Sequence, residues 1–154
     1  MIHYNEDDVL TICREQLIKD GYTVLVCSGV QGLYYYQYNK GRKFPDVVAV
    51  KDSTILIGEG KLKPEKLFAA TNNISDADSI EFLKANNAIR DEFIHNIESV
   101  LTAQSIKVKK PLVPHYILCA GQGLSNYKTD INNDILLMEV DLQTGNVVQY
   151  YGLK

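Results

Sequence analysis

Between residues 7 and 19 the apolar positions fall at Val9, Leu10, Cys13 and Leu17, the spacing of one helical face, and Gly21 follows as a stop. Residues 22–27 (YTVLVC) are β-branched and apolar and predict a strand. Gly29-Val30-Gln31-Gly32 predicts a turn, residues 33–38 (LYYYQY) an extended run, and residues 39–43 a basic loop. Two short apolar runs follow, residues 46–50 (DVVAV) and 54–58 (TILIG), separated by Lys51-Asp52-Ser53, and they predict a hairpin. Residues 67–71 suggest a short helix. A long helix is predicted over residues 78–104, opened by Asp78-Ser79-Ile80-Glu81 as a capping box, with Ile80, Leu83, Ile89, Phe93, Ile97, Val100 and Leu101 as its apolar stripe. After a basic, proline-flanked connection over residues 106–114, three more strands are predicted at 116–120, 135–140 and 147–151, the last two joined by a turn at 141–146.

Both faces of the 46–58 hairpin are apolar: Val47, Ala49 and Leu56 on one side, Val48, Val50, Ile55 and Ile57 on the other. Strands of that kind belong in the middle of a sheet covered on both sides. The expected architecture is an α/β fold of order α-β-β-β-α-β, a central mixed sheet flanked by helices, with extra C-terminal strands. No repeat, low-complexity segment or linker divides the 154 residues, so one domain over 1–154 is expected.

The cysteines change this picture little. Cys13, Cys27 and Cys119 form no CxxC pair, and an odd number without pairing predicts reduced thiols in a cytoplasmic protein. No signal-peptide pattern and no apolar run of about 20 residues predicts a membrane partner. His3, His95 and His115 lack metal-ligand spacing. Gly121-Gln122-Gly123 lacks the third glycine of a dinucleotide motif.

Chemistry concentrates on the hairpin. If Val50 lies opposite Ile55, antiparallel register pairs residues whose numbers sum to 105, and Asp46 lands opposite Glu59. Lys61 is two residues further on and shares the face of Glu59. Two carboxylates at the end of an apolar sheet repel each other and lose hydration unless something compensates. A hard divalent cation is the natural compensator: Mg²⁺ takes one or two carboxylates and keeps waters and phosphate oxygens. A neighbouring lysine can orient or deprotonate an attacking water, or stabilise transition-state charge. On the first helix Glu6 lies on the face of Leu10, Cys13 and Leu17, directed at the same sheet end, whereas Glu15 lies on the opposite, solvated side.

Pro45-Asp46 followed after twelve residues by Glu59-Gly60-Lys61 resembles the PD-(D/E)xK nuclease superfamily, the restriction-endonuclease-like fold. The chain contains no other Pro-Asp and no other (Asp/Glu)-x-Lys. The resemblance implies an αβββαβ core and a Mg²⁺-dependent phosphodiesterase in which Mn²⁺ substitutes. Asp46 and Glu59 would be metal ligands, the Gly60 carbonyl would complete the metal shell, and Lys61 would act on the water. Glu6 would match the glutamate that many members carry on the first helix.

The net charge of −3 at first counts against a nucleic-acid partner. Its distribution changes that reading. Residues 40–66 sum to +3 and residues 105–129 to +4, between acidic segments, and affinity for nucleic acid depends on phosphate neutralisation at the contact. Lys40, Arg42 and Lys43, directly before Pro45-Asp46, and Lys63 are the candidate phosphate-binding residues. Tyr34, Tyr36 and Tyr38 share a face and favour packing over base stacking, with Tyr35 turned the other way. The leading expectation is a metal-dependent endonuclease acting on DNA; many enzymes of the kind it resembles work as homodimers, because cutting both strands of a duplex needs two sites, and a homodimer is one possible state. The alternatives are a catalytically inactive nucleic-acid-binding or assembly module and an RNA-directed nuclease of the same fold.

Overall fold

The protein is described from a computed structural model over residues 3–29, 32–38, 40–69 and 75–154. Its first helix, α1 (Glu6–Lys19), starts at a complete capping box: the Asn5 side chain accepts from the Asp8 N–H, and the Asp8 carboxylate accepts from the Asn5 N–H. Acidic Glu6, Asp7 and Asp8 in the first turn suit the positive end of the helix dipole. Its buried residues are Val9, Leu10, Cys13 and Leu17, the stripe read from the sequence.

Among the described residues eight strands follow: β1 (Thr23–Cys27), β2 (Tyr36–Tyr38), β3 (Gly41–Lys43), β4 (Val47–Lys51), β5 (Thr54–Lys61), β6 (Val113–Ala120), β7 (Ile135–Val140) and β8 (Val147–Tyr151). Six form one sheet in the order β1-β4-β5-β6-β7-β8. Pairing is antiparallel between β1, β4 and β5, parallel from β5 through β6 to β7, and antiparallel again at β8. The fold is therefore mixed α/β, with β4 and β5 in the interior as their two-sided apolar pattern requires. Strands β2 and β3 make a separate small hairpin, so the basic segment is partly extended; Asn39, Val30 and Gln31 lie outside the described residues.

Each face of the sheet carries its own core. On one, α1 packs Val9, Leu10, Cys13 and Leu17 against Val47, Ala49, Leu56, Ile117, Cys119 and Met138. On the other, α2 (Asp76–Ala85), α3 (Asn87–Ala103) and Tyr36 cover Val48, Val50, Ile55, Ile57, Leu118 and Leu137. Among the described residues no helix is long and apolar enough to cross a membrane.

Three expectations are corrected. The long helix of 78–104 is two helices: Asn86 leaves helical geometry (φ −108°, ψ 85°), and its side-chain amide donates to the Phe82 carbonyl, ending α2 where α3 begins. The Asn86 side chain thus takes a backbone acceptor of the preceding turn, while the Asn87 side chain accepts from the Arg90 guanidinium. The start also moves, because Ser75 rather than Asp78 is the N-cap, its hydroxyl accepting from the Asp78 N–H at 3.1 Å. Of the helix expected at 67–71 only residues 67–69 are described, and there Leu67 ends a 3₁₀ turn, Pro64–Leu67; residues 70–74 lie outside the described residues. Cys13 and Cys119 are joined as a disulfide where α1 crosses β6, so of the three thiols only Cys27 is free, with its Sγ donating to the Leu10 carbonyl.

Candidate active site

The β4–β5 turn is only Asp52-Ser53, so Lys51 pairs with Thr54, Val50 with Ile55 and Val47 with Gly58. This register places Asp46 beside Glu59 at the open end of the hairpin, on the face of Val48 and Ile57. Two hydrogen bonds fix the pair: the Asp46 N–H donates to Glu59 Oε2 at 3.3 Å, and the Gly60 N–H donates to Asp46 Oδ2 at 3.1 Å. Glu59 is 1% exposed, the one carboxylate in the buried core among the described residues.

Lys61 leaves the same face two residues on, and its ammonium lies 3.5 Å from Glu6 Oε1. Gly60 makes that meeting possible. A Cβ there would stand 2.6 Å from Leu10 Cδ2, so the absence of a side chain lets α1 close onto the end of β5. Glu6 then reaches the sheet end from the first turn of α1, as expected, and Glu15 is exposed.

Asp76 was not anticipated from the sequence. It occupies the first turn of α2, its side chain is 11% exposed, and it lies 3.0 Å from Lys43 Nζ and 3.6 Å from Lys61 Nζ. The available signal was Ser75-Asp76 as a helix start, two residues before the one inferred.

Lys43 is also relocated. Instead of facing a substrate from a loop, it ends β3 and turns inward, with its ammonium 3.4 Å from Glu59 Oε1 as well as 3.0 Å from Asp76. The other basic candidates stay outside the cluster. Lys40 is exposed, and Arg42 stacks on the Tyr35 ring at 4.4 Å. Lys63 borders a shallow cavity of about 350 Å³ shared with His3, Tyr4, Gln122 and Gln143. Lys107, Lys109 and Lys110 precede β6, whose Val113 pairs with Thr54, so the second basic segment sits at the turn end of the hairpin, roughly 20 Å from Gly60 along β5. Tyr36 and Tyr38 pack edge-on against Phe93 and Phe82, the packing role expected of that face.

Known proteins offer no match. No family model, no curated protein sequence and no solved structure is similar to this chain.

The electrostatics therefore come from the residues alone. Burial pushes the Asp46 carboxyl up to about 6, the Gly60 N–H opposing the rise while the Glu6 and Asp76 charges add to it. Burial and then the Asp46 charge hold Glu59 well above the carboxylate range against the pull of Lys43. For Lys43 and Lys61 burial opposes the ammonium, but the surrounding carboxylates outweigh it and raise both. Fully ionised, Glu6, Asp46, Glu59 and Asp76 against Lys43 and Lys61 leave two uncompensated negative charges.

That deficit and the all-oxygen donor set fit one hard divalent ion at Asp46 and Glu59. Among the described residues no three His, Cys, Asp or Glu side chains are gathered around one metal position; Glu6 and Asp76 are engaged by the two lysines instead. Cys27 adds no nucleophile, since burial, only partly offset by Arg14, pushes its thiol up to about 12.

Proposed function

We propose that this protein is a divalent-metal-dependent nuclease of the PD-(D/E)xK kind, with DNA as its substrate. The observation that carries this reading is the convergence of Asp46, buried Glu59 and half-buried Lys61 at one strand end, which follows from the hairpin register. The order α1, β1, β4, β5, then α2 and α3, then β6 supports it as an αβββαβ core, with β7 and β8 as the additional strands and β2–β3 as an insertion.

Under this reading Asp46 and Glu59 would hold the ion, with the Gly60 carbonyl as a further donor. When bound there, such an ion would supply Lewis acidity for phosphoryl transfer. Glu59 works from a dry site, where its charge acts with little screening. Lys61 is held in its ammonium form by Asp76, Glu6 and Asp46. It therefore suits orienting the attacking water and stabilising charge on the phosphoryl oxygens better than removing a proton. Glu6 positions Lys61 from the opposite side. Lys40 and Lys63, both exposed, would serve phosphate contacts; Lys43, paired with Glu59, would not.

The test is cleavage of plasmid and oligonucleotide DNA, with single-stranded, branched and RNA substrates alongside, in Mg²⁺ or Mn²⁺. Activity should stop with chelator and in Asp46→Ala, Glu59→Ala and Lys61→Ala. Unchanged cleavage by Glu59→Ala would sink the mechanism. A second reading, a catalytically inactive nucleic-acid-binding module, is favoured by one observation: Glu59 is already paired with a protein cation, Lys43. That module would bind nucleic acid and give no metal-dependent product.

A further inference from the structure

Lys43 is the one residue of the cluster with no place in the proposed chemistry, and its position is costly to maintain. It arrives on the small β2–β3 hairpin, which is outside the main sheet. Its side chain is three-quarters covered, and its ammonium bridges Glu59 on β5 and Asp76 on α2. Hairpin, central sheet and helix thus meet at a single positive charge. A phosphate-binding lysine gains nothing from such burial, whereas a counterion for a buried carboxylate requires it, because a charge as enclosed as Glu59 needs a partner.

We propose that Lys43 is a tethered competitor for the divalent ion: it neutralises Glu59 when the site is metal-free, stabilises that form, and lowers the affinity of the site for metal. The proposal rests on the metal-dependent nuclease reading and concerns how its site is loaded. The charge balance sets the direction. With Lys43 in place the ionised cluster carries two negative charges; replacing Lys43 by a neutral side chain leaves three, deepens the attraction for a dication and removes the group that it must displace from Glu59. The same substitution leaves buried Glu59 with the Asp46 N–H but no cationic partner, so the metal-free fold weakens as the metal-bound one strengthens.

The experiment compares wild type, Lys43→Met and Lys43→Arg with Mn²⁺ as the probe and no nucleic acid present. Mn²⁺ binding is followed by electron paramagnetic resonance, and thermal unfolding is followed in chelator and at saturating Mn²⁺. Lys43→Met should bind Mn²⁺ at least about tenfold more tightly than wild type, unfold at lower temperature in chelator, and show a larger stabilisation by Mn²⁺. Lys43→Arg keeps the charge and should stay near wild type in both measurements. If Lys43→Met is unfolded without metal, titrating Mn²⁺ must restore the folded state, and failure to do so overturns the proposal. Wild type that binds Mn²⁺ while Lys43→Met binds it equally or more weakly overturns the competitor role and leaves the nuclease reading standing. No Mn²⁺ binding by any of the three, with the proteins folded, overturns both.

Discussion

The two ends of the β4–β5 hairpin belong to the same two strands, and both carry charges. At the turn end Lys51 and Asp52 are exposed; the Lys51 ammonium donates to the Asp20 carbonyl at 2.6 Å and lies over the Tyr22 ring. At the open end Asp46 and Glu59 are sunk against the core and held by backbone N–H groups. Charges at the turn keep their water, and the protein gives up little by having them. Charges at the open end lose it, and both carboxyls rise in pKa. A strand pair that could have ended in valine at little cost ends instead in two strained acids. This contrast marks the open end, and not the turn, as the candidate site.

The largest test of the contrast is the paired substitution Glu59→Ala and Lys51→Ala. Cleavage should fall by roughly 100-fold or more in the first and stay within about twofold in the second, measured on the same substrate. Gly60→Ala should come next: its Cβ would meet Leu10, at a cost of about 1–3 kcal/mol. Denaturant unfolding reads that cost, and the displacement of α1 should also loosen Glu6 from Lys61 and lower the cleavage rate.

The pH dependence sharpens the comparison further. Asp46 is raised to about 6 in the folded protein, above the usual value of about 4, so the folded state binds the extra proton. Its contribution to stability is therefore fullest below about 4 and declines as pH rises through about 6, and Glu59 acts in the same direction. Unfolding in chelator should show this decline, Mg²⁺ should reverse it above about pH 6, and Asp46→Asn should flatten it. The smallest effect is expected at the turn. Asp52→Gly, where φ is 52°, should alter stability by no more than about 0.5 kcal/mol and leave cleavage unchanged.

The parts of the site that could be read from the sequence are those governed by short-range rules. A two-residue turn plus strict alternation determines that Asp46 meets Glu59 and that Lys61 joins their face; a 100° helical step determines that Glu6, not Glu15, points inward. Lys43 and Asp76 obey no such rule. Their contact spans 33 residues and exists because the β2–β3 hairpin and the start of α2 fold over the same strand end. The Cys13–Cys119 pair is likewise a product of α1 lying on β6. The break at Asn86 was a local feature outweighed by an apolar stripe that continues in phase on either side of it.

The brevity of the Asp52-Ser53 turn also has a kinetic meaning. A hairpin closed by two residues forms in about 1–10 μs, whereas the parallel pairing of Thr54 with Val113 must wait for the whole α2–α3 segment to be traversed. On these timescales Asp46 and Glu59 should meet early, while both are still hydrated, and should lose their water only when α2 and β6 dock. The electrostatic burden falls on the late step of folding, so a divalent ion present during refolding should speed docking of the second half of the chain and leave hairpin formation unaffected.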